Sequence, residues 1–505
     1  MLLTRRTRWT SPTALFLYAL LTAAAVFVHT FWRDETQAWL LARDSSSPLA
    51  LLANMRYEGH PPLWHLLLYP FAHLSGNPQW MKLLNWLLSC FAAALILRET
   101  RLRLATRLGF AFSYFLLFEY AVLSRNYMLG IVLLLAAATL LLRESTSSSR
   151  AIPVLLSLAA FSSLPALILA LCLFGVYATQ SAFGPLAWHP AALRAFFASP
   201  ARLGAGLFFL LSTFASILLI RPPHDTGVFL ANPHLPGGIP GKVMRLGKYV
   251  GEAYLPLPRP SRHFWNSTLI DSFPFHLGTA LGWALLVALV FFFRRPAARL
   301  FFSASTLLLL AQVTASGRPF LRHLGWLFVA FLLALLLEHA PRTAPGSVPR
   351  LHAAPPWRAA LLAVLLAAQV ATALFAIGAG FLYPFSPSLQ AAQFLRQRHL
   401  AAAPLLFEPD YEGASILAYL QRRDAWNIEQ PRLASFVLWD RQEYLGRHTP
   451  TLADLHAAAG ASASTAPVLI TENPLTPQQQ DALHLQLLAA FPDDICDMES
   501  YYIYR

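Results

Sequence analysis

The chain has 505 residues, of which 56% are hydrophobic and 12% charged, about half the charged share of an ordinary soluble domain; this excludes a soluble multidomain enzyme and a disordered chain. The net charge of +13, from 38 Lys+Arg against 25 Asp+Glu, falls largely between apolar blocks, which reads as membrane topology rather than nucleic-acid binding. Three cysteines, Cys90, Cys172 and Cys496, exclude a disulfide framework and a cysteine-based zinc site.

A span needs roughly 20 mostly apolar residues, and there are eleven candidates, of which 151–164 and 165–180 are short: 12–31, 79–97, 104–120, 126–142, 151–164, 165–180, 203–221, 275–293, 300–316, 319–338 and 358–382. The first reads as a stable anchor rather than a cleaved signal peptide. The 151–180 pair is one apolar run broken at Phe161-Ser-Ser-Leu-Pro165. Arg5, Arg6 and Arg8 place the N-terminus in the cytoplasm. Eleven spans then put every later basic cluster on the same side: Arg98–Arg107, Arg143/Arg150, Arg194/Arg202, Arg294–Arg299 and Arg342–Arg358. Three long segments face outward: 32–78, 222–274 and everything after about 384.

The first outward loop opens with Phe31-Trp-Arg-Asp34-Glu35-Thr-Gln37-Ala-Trp39. A carboxylate at the membrane boundary is partly desolvated and becomes a usable base; it also serves as a helix cap. Next comes Tyr57-Glu58-Gly59-His60-Pro61-Pro62-Leu63-Trp64. Here Gly and two prolines fix a turn that presents His60 and open a helix. The apolar 62–75 segment is short and contains Pro70, and crossing would put the Arg98–Arg107 cluster outside, so it reads as an interfacial helix on the outer face. Between the third and fourth spans lies Phe118-Glu119-Tyr120-Ala-Val-Leu-Ser124-Arg125-Asn126-Tyr127. Ionisable groups there are functional candidates, or an arginine that snorkels and pairs with Glu119. In the 222–274 loop, Lys242, Arg245, Lys248 and Glu252 read mostly as a solvated helix face. At the outer end of the tenth span, Ser316-Gly-Arg318-Pro-Phe-Leu-Arg322-His323-Leu-Gly325 places two guanidiniums and an imidazole together, a group suited to phosphate. The last outward segment, 384–505, alternates strand and helix patterns: strands at 404–408, 434–439, 467–471 and 501–504, and helices at 412–420, 452–459 and 477–490. This is a small α/β domain without a glycine-rich phosphate fingerprint.

The Asp-Glu pair after the first span, followed by the His-Pro-Pro-Leu turn, resembles the GT-C membrane glycosyltransferases. More closely, it is similar to the bacterial family related to protein mannosyltransferases and aminoarabinose transferases. The likeness is clear over about 1–150 and loose over the remaining span layout. The resemblance implies a GT-C-like transmembrane catalytic module over 1–383 and inverting sugar transfer from a polyprenyl-phosphate donor on the outer face of a bacterial inner membrane. It implies Asp34 as catalytic base with Glu35 beside it. His60, Glu119, Arg125, Arg318, Arg322 and His323 become substrate-binding residues. The chain departs from the family in lacking an Asp further along the 118–127 segment. No cofactor is required; magnesium or manganese beside Asp34, Glu35 and Glu119 is compatible with the oxygen ligands. The partners are the lipid-linked sugar, membrane lipid and an acceptor of unspecified kind. The competing class is a transporter or flippase of lipid-linked sugars, which predicts mid-span charges and inverted repeats.

Overall fold

The computed structural model describes residues 3–143, 150–180, 194, 196–227, 238–315, 320–340, 355–462, 466–492 and 494–505. It is mostly helical with one small C-terminal sheet. Among the described residues seven helices are long and apolar enough to cross a membrane, beginning with Ser11–Val28 of α1 (Leu3–Val28) and Gln79–Leu97, which is α5. The others are Pro200–Ile220, Phe275–Phe292, Pro296–Ala315, Leu321–Glu338 and Pro356–Leu382. Their burial separates two roles. Leu321–Glu338 is 89% buried and forms the centre of the bundle, whereas Pro200–Ile220 is only 22% buried. The latter exposes Leu207, Leu211, Phe214 and Leu218, one helical stripe of the kind that faces lipid. Among the described residues three shorter apolar helices join them: α7 (Tyr127–Leu141), α8 (Ala151–Ala160) and α9 (Leu164–Gln180). The break between α8 and α9 falls at the expected Phe161-Ser-Ser, where Ser162 Oγ bonds back to Ala159 O.

The third expected span is not one continuous helix. Helix α6 (Leu104–Ala111) is about 12 Å long and stops at Phe112. The chain then winds as a π-helix over Phe115–Glu119, with Tyr120 N bonding Phe115 O. Tyr18 OH takes the Leu116 carbonyl and Ser113 Oγ takes that of Phe110, so side chains satisfy the acceptors that regular winding would have used.

Outside the bundle, the first loop folds as α2 (Arg33–Asp44), α3 (Pro48–Asn54) and α4 (Leu63–Leu74). The last of these is the short helix expected from the apolar 62–75 run. The C-terminal segment forms a six-stranded sheet of order β3-β2-β1-β4-β6-β5, built from β1 (Leu405–Glu408), β2 (Ala425–Asn427), β3 (Arg432–Ala434), β4 (Val468–Thr471), β5 (Leu487–Phe491) and β6 (Tyr501–Tyr504). The centre is parallel: β1 pairs with β2 and with β4. Leu405, Leu406, Val468, Leu469 and Ile470 are completely buried there, as fits strands covered on both faces.

Two expectations for this domain are corrected. The expected 434–439 strand ends at Ala434. Beyond it, Val437 N donates to Gln37 Oε1 while its carbonyl accepts from Gln37 Nε2, and Trp439 O accepts from Gly227 N. Backbone groups of this segment therefore bind the loops at Gln37 and Gly227 rather than a ladder. The expected 477–490 helix stops at Leu483, because His484 takes a left-handed conformation (φ 54°), and Leu487–Phe491 becomes β5, paired with β6.

The sheet domain is packed onto the first loop. Trp39, Trp64 and Leu68 share one buried cluster with Ala391, Leu395, Ile416 and Leu417.

Candidate functional site

The site is built around the first turn of α2, where three consecutive residues point in three directions, as the helical step of about 100° requires. Glu35 turns inward and is completely buried. Its Oε2 meets His29 Nε2 at 2.8 Å and accepts from Trp32 N at 3.3 Å, and its Oε1 accepts from Ser124 N at 2.6 Å. Glu35 thus caps its own helix and ties it to the 121–125 loop. Both of its oxygens are engaged and neither faces solvent, whereas the Asp34 side chain beside it stays partly exposed. Arg33 turns to the sheet domain. Its guanidinium pairs with Glu412 and donates to Met498 O at 2.5 Å, its backbone N–H donates to Glu499, and it stacks on the Tyr411 ring at 4.9 Å.

Asp34 points between them into a cluster assembled from distant parts of the chain. Its Oδ2 accepts from Arg125 Nη1 at 2.5 Å and from Arg322 Nη2 at 3.0 Å. His60 Nε2 lies 3.4 Å from Arg125 Nη2. The Asp34 side chain remains 33% exposed, against 11% for Arg125 and 6% for Arg322. Burial alone would raise the Asp34 pKa, but the guanidiniums of Arg125, Arg322 and Arg33 outweigh it and hold the carboxyl at about 2. Burial, aided by Arg125, depresses His60 to about 3, so its imidazole is neutral and able to accept from the guanidinium. Gly59 at φ 66° makes the turn that delivers it.

Arg322 is the most informative side chain. Its guanidinium lies over Phe320 at 4.3 Å, Trp32 at 5.0 Å and Trp265 at 5.7 Å. Of its three nitrogens only Nη2 has a partner; Nε and Nη1 are buried without one. Ser124 Oγ, Tyr127 OH and Trp32 Nε1 are likewise buried and unpartnered. A buried guanidinium with free N–H groups is costly unless an anion receives them.

The other expected site residues fall as follows. Glu119 does not line an open loop. It is buried in the π-helix, where its Oε2 accepts from Tyr114 OH at 2.7 Å and from Trp265 Nε1 at 3.0 Å. It steadies one of the rings under Arg322 and does not pair with Arg125. His323 Nδ1 accepts from Phe320 N at 3.2 Å, which fixes the start of the Leu321–Glu338 helix and orients Arg322. Arg318 lies outside the described residues. Asp34, Glu35 and Glu119, the set suggested for a divalent metal, are each turned to partners of their own.

Residues not singled out from sequence complete the site. Trp32 and Trp265 form the aromatic bed, and Asn266, at φ 60°, accepts from Leu321 N. Glu58 accepts from Gln37 Nε2 at 2.9 Å. Burial, helped by the Asp34 charge, pushes Glu58 up to about 7. Only Glu58 carried a usable signal, since it sits in the His60 turn. The expected solvated face in the 222–274 loop is partly paired: Lys248 binds Asp271 at 2.5 Å and Glu252 at 3.5 Å.

No protein-family model, curated protein or solved structure matches the chain. The functional reading therefore stands on the chemistry of these residues.

Proposed function

We propose that this protein is an inverting membrane glycosyltransferase that moves a sugar from a polyprenyl-phosphate donor to an acceptor hydroxyl. In this reading the chain crosses the membrane eleven times, and the Asp34 cluster lies at its outer face. The observation that carries it is a half-buried carboxylate set between two guanidiniums, one of which keeps buried N–H groups with no partner.

The residues divide the chemistry between them. The donor phosphate is received by an unpartnered nitrogen of Arg322, Nε or Nη1, and by Arg125, charge-assisted contacts for which guanidinium is suited. The acceptor oxygen attacks the anomeric carbon as the bond from that carbon to the phosphate oxygen breaks, inverting its configuration. The lipid phosphate leaves with its charge met by the two arginines, while Asp34 takes the hydroxyl proton. A carboxylate at about 2 is a weak base while both guanidiniums face it. Phosphate drawing those cations away raises the proton affinity of Asp34 in the step that uses it. Neutral His60 holds Arg125 and borders the sugar. Magnesium or manganese is compatible with this chemistry, and no step needs one.

The test uses purified protein in liposomes with a panel of radiolabelled polyprenyl-phosphate sugars. Release of polyprenyl phosphate by the wild type, abolished in Asp34→Asn with donor binding retained, supports the reading. Label that crosses the bilayer with the sugar–phosphate bond intact refutes it in favour of a transporter.

A further inference from the structure

A second cluster of ionisable groups lies in the sheet domain. Asp410, Glu429 and Glu443 come from the turn after β1, the loop after β2 and the short helix Arg441–Leu445. Each offers an oxygen within 4.8 Å of the others, the only such group of three among the described residues. They are 8%, 8% and 0% exposed.

The charge balance at this point is poor. The cation beside the cluster is Arg447, whose Nε stands 3.8 Å from Glu429 Oε1 and whose side chain is 38% exposed. Asp410 is held by the N–H groups of Ile428 and Glu429, at 2.9 and 3.0 Å. Glu443 has no such support: both oxygens are buried without a hydrogen-bond partner, and so is Glu429 Oε2. Burial and the neighbouring carboxylates raise the pKa of Asp410 and of Glu443. Three orphaned acceptor atoms on two segments, beside the Asp410 carboxylate of a third, are costly unless protons or a cation answer them.

We infer that Asp410, Glu429 and Glu443 form a structural site for a divalent cation of the hard, oxygen-preferring class, calcium foremost. Carboxylate oxygens alone suit calcium, magnesium or manganese. An envelope of 4.8 Å accommodates opposed ligands at calcium distances of about 2.4 Å each. The cation would pin the Pro409–Glu412 turn to the loop 428–446. That turn carries Glu412, the partner of Arg33, and Tyr411, on which Arg33 stacks. The loop carries Val437, held by Gln37, and Asp440, which bridges Thr226. Filling the site would therefore stiffen the contacts that hold the sheet domain over the first outer loop. This inference does not depend on the sugar-transfer reading.

The test uses the full chain in detergent. After chelation and desalting, terbium is titrated and its luminescence read with excitation of the adjacent Tyr411–Trp439–Tyr444 aromatic group, whose rings lie 5.6 and 6.2 Å apart pairwise. Calcium, magnesium and manganese are then competed against it. Metal content is measured by mass spectrometry after dialysis against each ion. The expected result is about one calcium per chain, competition by calcium, and a melting temperature a few degrees higher with the ion. Glu443→Gln and Glu429→Gln should each weaken binding about tenfold or more. If Glu443→Gln does not fold, Glu429→Gln, at the partly screened carboxylate, carries the comparison. Absence of bound ion and of any thermal shift overturns the site and assigns the cluster to shared protons. Binding unchanged in both variants overturns it equally.

Discussion

Asp34→Asn separates a catalytic carboxylate from a structural one. In the structure Asp34 neutralises part of the charge of Arg125 and Arg322. Its pKa falls from 3.8 to about 2, which corresponds to about 2 kcal/mol of favourable interaction. With 33% of the side chain exposed, screening reduces this to about 1–2 kcal/mol. The sign is that of a depressed acid: the stabilisation is complete above 3.8 and is lost as pH falls through about 2. At neutral pH the variant should therefore be less stable by about 1–2 kcal/mol. The guanidiniums it leaves uncompensated should bind polyprenyl phosphate about five- to thirtyfold more tightly, because the internal anion no longer competes. Turnover should fall by about a hundredfold to ten-thousandfold, the range for loss of a general base. Calorimetric titration with polyprenyl phosphate and donor consumption in liposomes read the two effects separately. Product binding that weakens in step with turnover refutes the reasoning, because it would make Asp34 a scaffold for the arginines rather than their competitor.

Other expectations follow from the same geometry. Arg322→Lys keeps the charge but loses the planar fork over Trp32, Trp265 and Phe320. Donor KM should rise and kcat fall by about tenfold or more in the same steady-state assay; unchanged kinetics would remove Arg322 from the site. Glu58 has a folded pKa of about 7, above its ordinary 4.5. Its native form is favoured most below 4.5, and that contribution declines as pH rises through 7. Glu58→Gln should therefore flatten the fall in melting temperature between pH 5 and pH 8, about the two sides of that titration, and an undiminished fall would contradict it. Arg33→Ala leaves Glu412 buried without its cation, a loss of about 3 kcal/mol or more. Limited proteolysis should then cut between the bundle and the sheet domain faster than in the wild type, and equal rates would contradict the docking role.

Several features of the architecture were legible because they follow from composition and period. The long apolar helices come directly from unbroken apolar runs, and the α8–α9 break follows from Ser-Ser-Leu-Pro. What failed was local. The 104–120 run reads as one span, yet it splits because Ser113 and Tyr18 supply hydrogen bonds that no period records. The short apolar 434–439 run reads as a strand, but Gln37, about 400 residues earlier in the chain, takes backbone groups of Val437. In the site, Asp34, His60, Arg125 and Arg322 could be named singly because charge is scarce in this chain. Their convergence was not in the sequence, nor were the different partners of Asp34 and Glu35, which depend on which side of α2 each faces. The aromatic bed was the least visible part, since Trp32 and Trp265 are two among 13 tryptophans in an aromatic-rich chain.

The most direct measurement is a cryo-electron microscopy map of the protein in a lipid nanodisc with polyprenyl phosphate bound. Phosphate density within hydrogen-bond distance of Arg322 Nε or Nη1, with Arg125 shared between phosphate and Asp34, is the predicted result. Phosphate bound elsewhere, with Asp34 still holding both guanidiniums and the Arg322 nitrogens still without a partner, would contradict the account.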